Sequence, residues 1–324
     1  MRNKSLGCLA LVLGLCAVIL LGAGVYMLNY SLKPENNSGR DYQQRYARLF
    51  ADYPETRPWI DSLQKAQALR DTIIVTDAGE KHHALLIRAP RATGHTAVLV
   101  HGYTDCAVSM LHLGYFYHHD MGFNLVVPDL HGHGKSEGSE AQMGWKDRRD
   151  VLRWIAIADS LYRDSTGTAS IVVHGISMGA ATTMAVAGEK TPASVKAFVE
   201  DCGYTSVWDE FADQLNKQFG LPPFPLMYVT SGLCRLKYGW SFGEASMVDA
   251  VGRSTKPMLF IHGGHDTYVP TAMVFRLYQA KQGSKSLYVA HGSEHAKSYH
   301  DHKSEYQLRL RSFLSSIQDG VSSR

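Results

Sequence analysis

The clearest chemical signal in the sequence is a serine between two glycines, in the run HGISMG at residues 174–179. An apolar run precedes it and an alanine-rich segment follows, which is typical of a strand that turns directly into a helix. In so tight a turn, glycine at positions 175 and 179 avoids collision with neighbouring chain and lifts the Ser177 hydroxyl above the sheet. The pattern predicts a nucleophilic serine, although an ordinary glycine turn has the same five residues.

A serine hydroxyl becomes a useful nucleophile only when a histidine takes its proton and an acid orients that histidine. Asp266 follows the apolar run LFIHGG, and His295 follows the next apolar run, LYVAHGSE. Both residues are predicted to lie just past the ends of strands, as Ser177 does. We therefore expect Ser177, Asp266 and His295 to form a catalytic triad.

Two other aspartates follow strand-like runs. Asp201 ends the run VKAFVED and is the alternative acid, because it also lies at a strand end. Asp129 follows LVVP, and we expect it to hold the next glycine loop through backbone hydrogen bonds.

An oxyanion hole needs backbone N–H groups close to the nucleophile. Met178 begins the helix after Ser177, so its N–H has no partner within that helix. Tyr103 follows the strand-like run VLVHG and is predicted to supply the second N–H. We expect these two groups to bind a developing oxyanion.

The elements that must position these residues alternate along the chain. Two helical segments are predicted near 41–52 and 58–69, followed by a hairpin between DTIIVTDA and KHHALLIRAP. Six short apolar runs then alternate with helix-length segments: TAVLVHG, FNLVVPD, SIVVHG, VKAFVED, KPMLFIHG and KSLYVAHG. Continuous hydrophobicity indicates strands buried on both faces, so the sequence predicts an α/β fold with a mostly parallel sheet and flanking helices.

One interval breaks this alternation. More than fifty residues separate the strand ending at Asp201 from the strand that begins near Lys256, and so long an insertion is usually functional. We predict that residues 205–243 form a small helical cap over the carboxyl edge of the sheet. Its segment FGLPPFPLMYV either lines an acyl pocket or only packs the cap onto the sheet.

The N-terminus carries a different signal. Residues 6–28 hold no charge over a length of about 35 Å as a helix, enough to cross a bilayer. Arg2 and Lys4 precede this segment, which predicts that the remaining chain lies on the non-cytoplasmic side, periplasmic or extracellular. A cleaved signal peptide, giving a secreted protein, is the alternative. The predicted organisation is an anchor or signal segment at 1–28, a tether with N-terminal helices at 29–70, and a catalytic domain at 71–324.

Composition excludes several classes of function. The formal net charge of +3 is too small for a nucleic-acid-binding protein with a basic face. No metal is predicted, because adjacent histidines on a strand, such as His82 and His83, point to opposite faces and no triplet has recognisable ligand spacing. No cofactor is predicted, because the expected serine chemistry needs none. Cys106, Cys202 and Cys234 lie beyond the apolar segment, and their disulfide state stays open.

From about residue 71 to 318 the chain resembles the α/β-hydrolase superfamily of serine hydrolases, and within it the BEM46-like and serine aminopeptidase S33-like hydrolases. The resemblance lies in HGY at 101–103, PDLHGHGKSEG at 128–138, HGISMG at 174–179 and GGHDTYVP at 263–270. It implies Ser177 as nucleophile, Asp266 as acid, His295 as base, and the N–H groups of Tyr103 and Met178 as oxyanion donors. His131 departs from the pattern, because many relatives carry arginine there, and we expect it to alter only local loop packing.

The resulting prediction is a membrane-anchored serine hydrolase that cleaves small acyl esters through an acyl-enzyme, resembling a carboxylesterase or lipase. An S33-type aminopeptidase is one alternative, with Asp209, Glu210 or Asp213 available to capture a substrate amine. A binding protein that has the fold but no turnover is another.

Overall fold

The structure is a computed structural model, and it describes residues 2–33 and 40–322. The chain divides into two compact units. One unit holds the N-terminal helix together with Ser206–Ala245, and the other holds the remaining chain. Residues 34–39, in the middle of the predicted tether, lie outside the described residues.

The larger unit is built on one eight-stranded sheet. Its strands are β1 (Leu69–Val75), β2 (Lys81–Ile87), β3 (His95–Val100), β4 (Asn124–Pro128), β5 (Ser170–Ile176), β6 (Val195–Asp201), β7 (Met258–Gly263) and β8 (Lys285–Ala290). The strand order is β1-β2-β4-β3-β5-β6-β7-β8. Strand β2 runs antiparallel to both β1 and β4, and every other neighbouring pair is parallel. The predicted hairpin and mostly parallel sheet are therefore confirmed.

Helices cover both faces of this sheet. They are α2 (Tyr42–Asp52), α3 (Thr56–Lys65), α4 (Leu111–Tyr115), α5 (Asp147–Leu161), α6 (Met178–Ala187), α9 (Met247–Arg253), α10 (Ala272–Ala280), α11 (Ser298–Asp301) and α12 (Lys303–Ser322). All ten residues of α6 are buried, because the helix packs on β5 and β6 and is covered in turn by α5 and α9. The helix that begins at the candidate nucleophile is thus among the most deeply buried helices of the described chain.

The N-terminal part of this unit differs slightly from prediction. Helix α2 matches the predicted segment at 41–52, and the Asp41 side chain caps it by accepting a hydrogen bond from the Gln44 N–H. Helix α3 ends at Lys65, whereas the prediction continued to residue 69. The prediction was wrong there because Leu69 already belongs to β1, whose pairing with β2 overrides local helical preference.

The smaller unit contains α1 (Arg2–Leu32), α7 (Val207–Phe219) and α8 (Leu226–Tyr238). Leu6–Leu32 is the one span among the described residues that is long and apolar enough to cross a membrane. Helices α1 and α8 pack closely at Gly24, where a side chain would meet Val229 at 2.9 Å. The Tyr30 hydroxyl donates a hydrogen bond to Gln218 Oε1 at 2.7 Å. The apolar N-terminal helix and the insertion helices therefore form one packed unit.

Candidate active site

The turn at Ser177 joins β5 to α6. Ser177 has a φ of 57° and a ψ of −119°, a backbone conformation that costs a non-glycine residue energy and is usually retained at functional sites. A Cβ on Gly175 would lie 2.0 Å from the Gly179 carbonyl oxygen, and one on Gly179 would lie 2.0 Å from that of Val100. The two glycines are therefore required for this turn, as the sequence predicts.

The structure brings Ser177, His295 and Asp266 together, although they lie in three different loops. His295 Nε2 is 2.8 Å from Ser177 Oγ, and His295 Nδ1 is 2.7 Å from Asp266 Oδ2. Because an ionised carboxylate only accepts, Nδ1 must carry the proton and Nε2 then accepts from the serine hydroxyl. One imidazole thus links the hydroxyl to the carboxylate. The His295 side chain is 21% exposed, whereas that of Asp266 is fully buried.

The surroundings of Asp266 keep it ionised. Its Oδ1 accepts hydrogen bonds from the Tyr268 and Val269 N–H groups, both at 2.9 Å. Burial alone would raise the pKa of Asp266, but the imidazoles of His262 and His295 outweigh burial and lower the pKa to about 2. The carboxylate is therefore negative and fixed in place at neutral pH.

His262 is a residue of the site that the sequence analysis missed. It is buried at the end of β7, and its Nε2 donates to the Val269 carbonyl at 3.0 Å while lying 3.4 Å from Asp266 Oδ2. Burial lowers the pKa of His262, but the neighbouring carboxylates of Asp266 and Glu200 raise it by more. The only sequence signal was its place four residues before Asp266 in HGGHD.

Asp201, the alternative acid, is bound elsewhere. Its Oδ2 accepts a hydrogen bond from the Tyr306 hydroxyl at 2.9 Å, and the same hydroxyl lies 3.0 Å from His174 Nε2. Burial raises the pKa of Asp201 to about 6, and the bond from Tyr306 only partly opposes that rise. The backbone carbonyl of Asp201, in contrast, accepts from the Ser177 N–H at 2.8 Å and helps to hold the strained turn.

The loop after β3 lies beside the serine. A Cβ on Gly102 would be 3.4 Å from the Ser177 Cβ, so this loop passes the nucleophile within van der Waals distance. His101 fixes the loop, since its Nδ1 donates to the Gly102 carbonyl at 2.7 Å and its Nε2 accepts from the Leu130 N–H at 2.9 Å. Tyr103 follows directly, and Met178 is the first residue of α6. Both predicted oxyanion donors therefore lie in segments next to Ser177.

Strained backbone is concentrated around this site. Among the described residues, six non-glycine residues have positive φ, and four of them are in the loops of the site: Thr104, Ser177, Cys202 and Ala296. Such conformations persist only where the surrounding structure holds them, and they are typical of active sites. Cys202 carries a free, buried thiol, so it takes part in no disulfide.

The insertion helices contain the acidic residues considered for the aminopeptidase alternative. Asp213 forms an ion pair with Lys217 one turn later in α7, and Glu210 is buried. Apolar side chains in the following segment are solvent-exposed, among them Leu221, Phe224 and Tyr228. The predicted role of this segment as a cap over the sheet edge stays a prediction.

Comparison with protein families agrees with this architecture. The family described as alpha/beta hydrolase fold matches residues 98–221. The chain is 30% identical over 234 residues to the protein YqkD of Bacillus subtilis, covering 72% of this chain and 75% of YqkD. It is 25% identical over 196 residues to YfhR of Escherichia coli O157:H7, covering 60% of this chain and 61% of YfhR.

Solved structures share the same fold. The esterase Pf2001 of Pyrococcus furiosus superposes with a TM-score of 0.61 at 21% identity, over 77% of this chain and 91% of the esterase. Acetyl xylan esterase 1 of Thermoanaerobacterium superposes with a TM-score of 0.54 at 18% identity, over 75% of this chain and 83% of that enzyme. At these identities the likeness establishes the fold.

Proposed function

Because this chain belongs to the α/β-hydrolase family, we propose that it is a serine hydrolase that cleaves carboxylic esters through an acyl-enzyme. The observation that carries the proposal is the placement of one imidazole between a strained serine and a buried carboxylate, at 2.8 and 2.7 Å. A serine with these two partners is activated for attack on a carbonyl carbon. Membership of the family alone would not specify this reaction.

In the proposed mechanism, His295 Nε2 takes the proton of the Ser177 hydroxyl as its oxygen attacks the acyl carbonyl. Asp266 holds the imidazole in the required tautomer and stabilises its positive charge. The backbone N–H groups of Tyr103 and Met178 stabilise the negative carbonyl oxygen. His295 then donates the proton to the leaving alkoxide, and water hydrolyses the acyl-enzyme by the same route.

An ester is the favoured substrate. An alkoxide leaves with less need of protonation than an amine, and the two esterases that share the fold support the same chemistry. The acidic side chains that would favour an aminopeptidase are engaged or buried, as for Asp213 and Glu210. No cofactor takes part in the proposed reaction.

We further propose that α1 anchors the protein in a membrane with the catalytic unit on the non-cytoplasmic side. Arg2 and Lys4 precede an uncharged, largely apolar span of 27 residues, and most of that span is exposed in the described structure. An exposed helix of this composition is stable only when lipid or another apolar surface covers it. The substrate then reaches the enzyme from the outer side.

Activity-based labelling tests the proposed function. The full chain in detergent is treated with a fluorophosphonate, and labelling of Ser177 is expected because the probe reacts only with an activated serine. Hydrolysis of p-nitrophenyl esters of increasing acyl length, but not of amino-acid anilides, is the expected second result. A folded protein that takes no label supports the non-catalytic binding protein instead, and cleavage of the anilides alone supports the aminopeptidase.

A further inference from the structure

A second cluster of chemically active side chains lies on the other face of β2 from His83. It contains Glu80 in the turn of the hairpin, His82 on β2 and His131 in the loop after β4. One ligand atom from each residue lies within 4.8 Å of the other two. The three residues come from separate segments, and the mechanism proposed above uses none of them.

The two imidazoles of this cluster are buried among carboxylates. His82 is 1% exposed, and neither of its ring nitrogens makes a well-aligned hydrogen bond within the described chain, although each lies near a carboxylate. His131 is 5% exposed, and its Nε2 lies near the Glu140 carboxylate. A cation bound between these nitrogens and carboxylate oxygens would satisfy polar groups that water does not reach.

The two distances from the Glu80 oxygen to the imidazole nitrogens fit a tetrahedral metal ion, and the two nitrogens lie within 4.8 Å of each other. Glu80 Oε2 lies 3.5 Å from His82 Nε2 and 3.3 Å from His131 Nδ1. Ligands at about 2.0–2.1 Å from a tetrahedral Zn²⁺ are separated by about 3.3 Å. Two imidazole nitrogens and one carboxylate oxygen form a donor set that suits zinc, whereas magnesium and calcium prefer oxygen ligands.

A second layer of carboxylates surrounds the two histidines. His82 Nδ1 lies 3.2 Å from Asp150 Oδ2, and His131 Nε2 lies 3.6 Å from Glu140 Oε1. Each imidazole therefore has Glu80 at one nitrogen and another carboxylate near the other. Histidine ligands of zinc usually have a carboxylate in that outer position, where it orients the ring.

We propose that Glu80, His82 and His131 form a zinc site that joins the hairpin turn to the loop after β4. Glu80 is partly exposed, which leaves a path for the ion and a fourth position for water. The site would stabilise the loop that begins at Leu130, whose N–H donates to His101 beside the predicted oxyanion segment. The role proposed for the ion is structural.

The proposed zinc site differs from the sequence-based expectation that the chain has no metal site. That expectation considered histidines that are adjacent in the sequence. His82 and His83 do face opposite sides of β2, and the contacts of His83 are with Asp129 and Asp71. The partner of His82 is His131, which the pairing of β2 with β4 brings close. No spacing rule would have found this pair.

Zinc binding to the purified full chain tests the proposal. The protein in detergent is stripped with EDTA and titrated with Zn²⁺, and bound metal is measured by mass spectrometry alongside the melting temperature. About one zinc per chain and a rise in melting temperature are expected, with no response to Mg²⁺ or Ca²⁺. A chain that takes up no zinc, or takes up calcium equally well, overturns the assignment.

Variants locate the ion. Glu80→Gln and His131→Gln are each expected to weaken zinc binding at least about tenfold, whereas His119→Gln, an exposed histidine paired with Asp120, is expected to leave it unchanged. Glu80→Gln changes a partly exposed side chain, so it tests the site even if His131→Gln does not fold. Equal binding by all three variants overturns the proposal. Ser177→Ala should keep zinc, which separates this inference from the proposed hydrolase activity.

Discussion

Asp266 and Asp129 are both buried, and each lies close to the Nδ1 of a histidine at nearly the same distance. The two pairs differ in what the second imidazole nitrogen meets. His295 Nδ1 lies 2.7 Å from Asp266, and His83 Nδ1 lies 2.8 Å from Asp129. The Nε2 of His295 faces the Ser177 hydroxyl. The Nε2 of His83 instead faces a second carboxylate, that of Asp71 at 2.7 Å.

The two aspartates also differ in the groups that they bind. Asp129 accepts hydrogen bonds from the Ala107 N–H at 2.7 Å and the Lys135 N–H at 2.8 Å, and it also binds the Tyr42 hydroxyl. It therefore holds two loops together, which extends its predicted role of holding the glycine loop. In Asp266, Oδ2 contacts the imidazoles of His295 and His262. In the proposed mechanism, proton transfer therefore belongs to His295, whose second nitrogen meets a hydroxyl, and not to His83.

Removing the Ser177 hydroxyl is expected to have the largest effect on activity. Ser177→Ala should lower kcat by at least ~10⁴, because the nucleophile is lost while the rest of the site remains. The melting temperature should change little, which circular dichroism checks alongside ester hydrolysis. Retention of wild-type turnover would contradict the assignment of Ser177.

Asp266→Asn is expected to have the next largest effect, a fall in kcat of up to ~10⁴. An amide in place of the carboxylate favours the wrong tautomer of His295. Asp201→Asn is the matched control, since Asp201 binds Tyr306 rather than His295, and its kcat should stay within about tenfold of wild type. A larger loss in Asp201→Asn than in Asp266→Asn would make Asp201 the acid.

The same substitution in the structural pair should act on stability instead. Asp129→Asn is expected to lower the free energy of unfolding by about 2 kcal/mol, because hydrogen bonds to a buried charged acceptor are lost. Denaturant titration measures this loss, and kcat per folded molecule should remain within a few-fold of wild type. If Asp129→Asn abolished kcat without a loss of stability, the distinction between the two pairs would be wrong.

The smallest expected effect concerns pH. Burial raises the pKa of Asp201 to about 6 from an unfolded value of 3.8, so the folded state binds its proton more tightly than the unfolded state. This contribution to stability is fully present below about pH 4 and is lost as pH rises through about 6. Subtracting the melting temperature of Asp201→Asn from that of wild type at each pH should show this decline. An unchanged difference across the window would mean that Asp201 does not titrate there.

Much of the site was predictable because its signals are local. The glycines around Ser177 reflect collisions at 2.0 Å within one turn, and apolar runs before Asp266 and His295 mark the ends of buried strands. Parallel strands bring such ends to one edge of a sheet, so the three residues were expected to meet. The mostly parallel sheet itself followed from the same runs.

Other features depend on contacts between distant segments. Tyr306 binds Asp201, and His131 approaches His82, although no periodicity in the sequence relates these residues. The packing of α1 on α8 at Gly24 likewise joins segments about two hundred residues apart. Each of these contacts depends on which surfaces the folded chain places side by side.

The sequence alone determined the strands, the strained serine turn and the order of its chemical partners, because backbone geometry and burial act over a few residues. Tertiary structure decided which of several similar histidines and aspartates face one another, because that choice depends on strand register and loop packing. His82 and His83 illustrate the reason. They are adjacent in the chain, yet the pleat of β2 turns one toward Asp129 and the other toward His131.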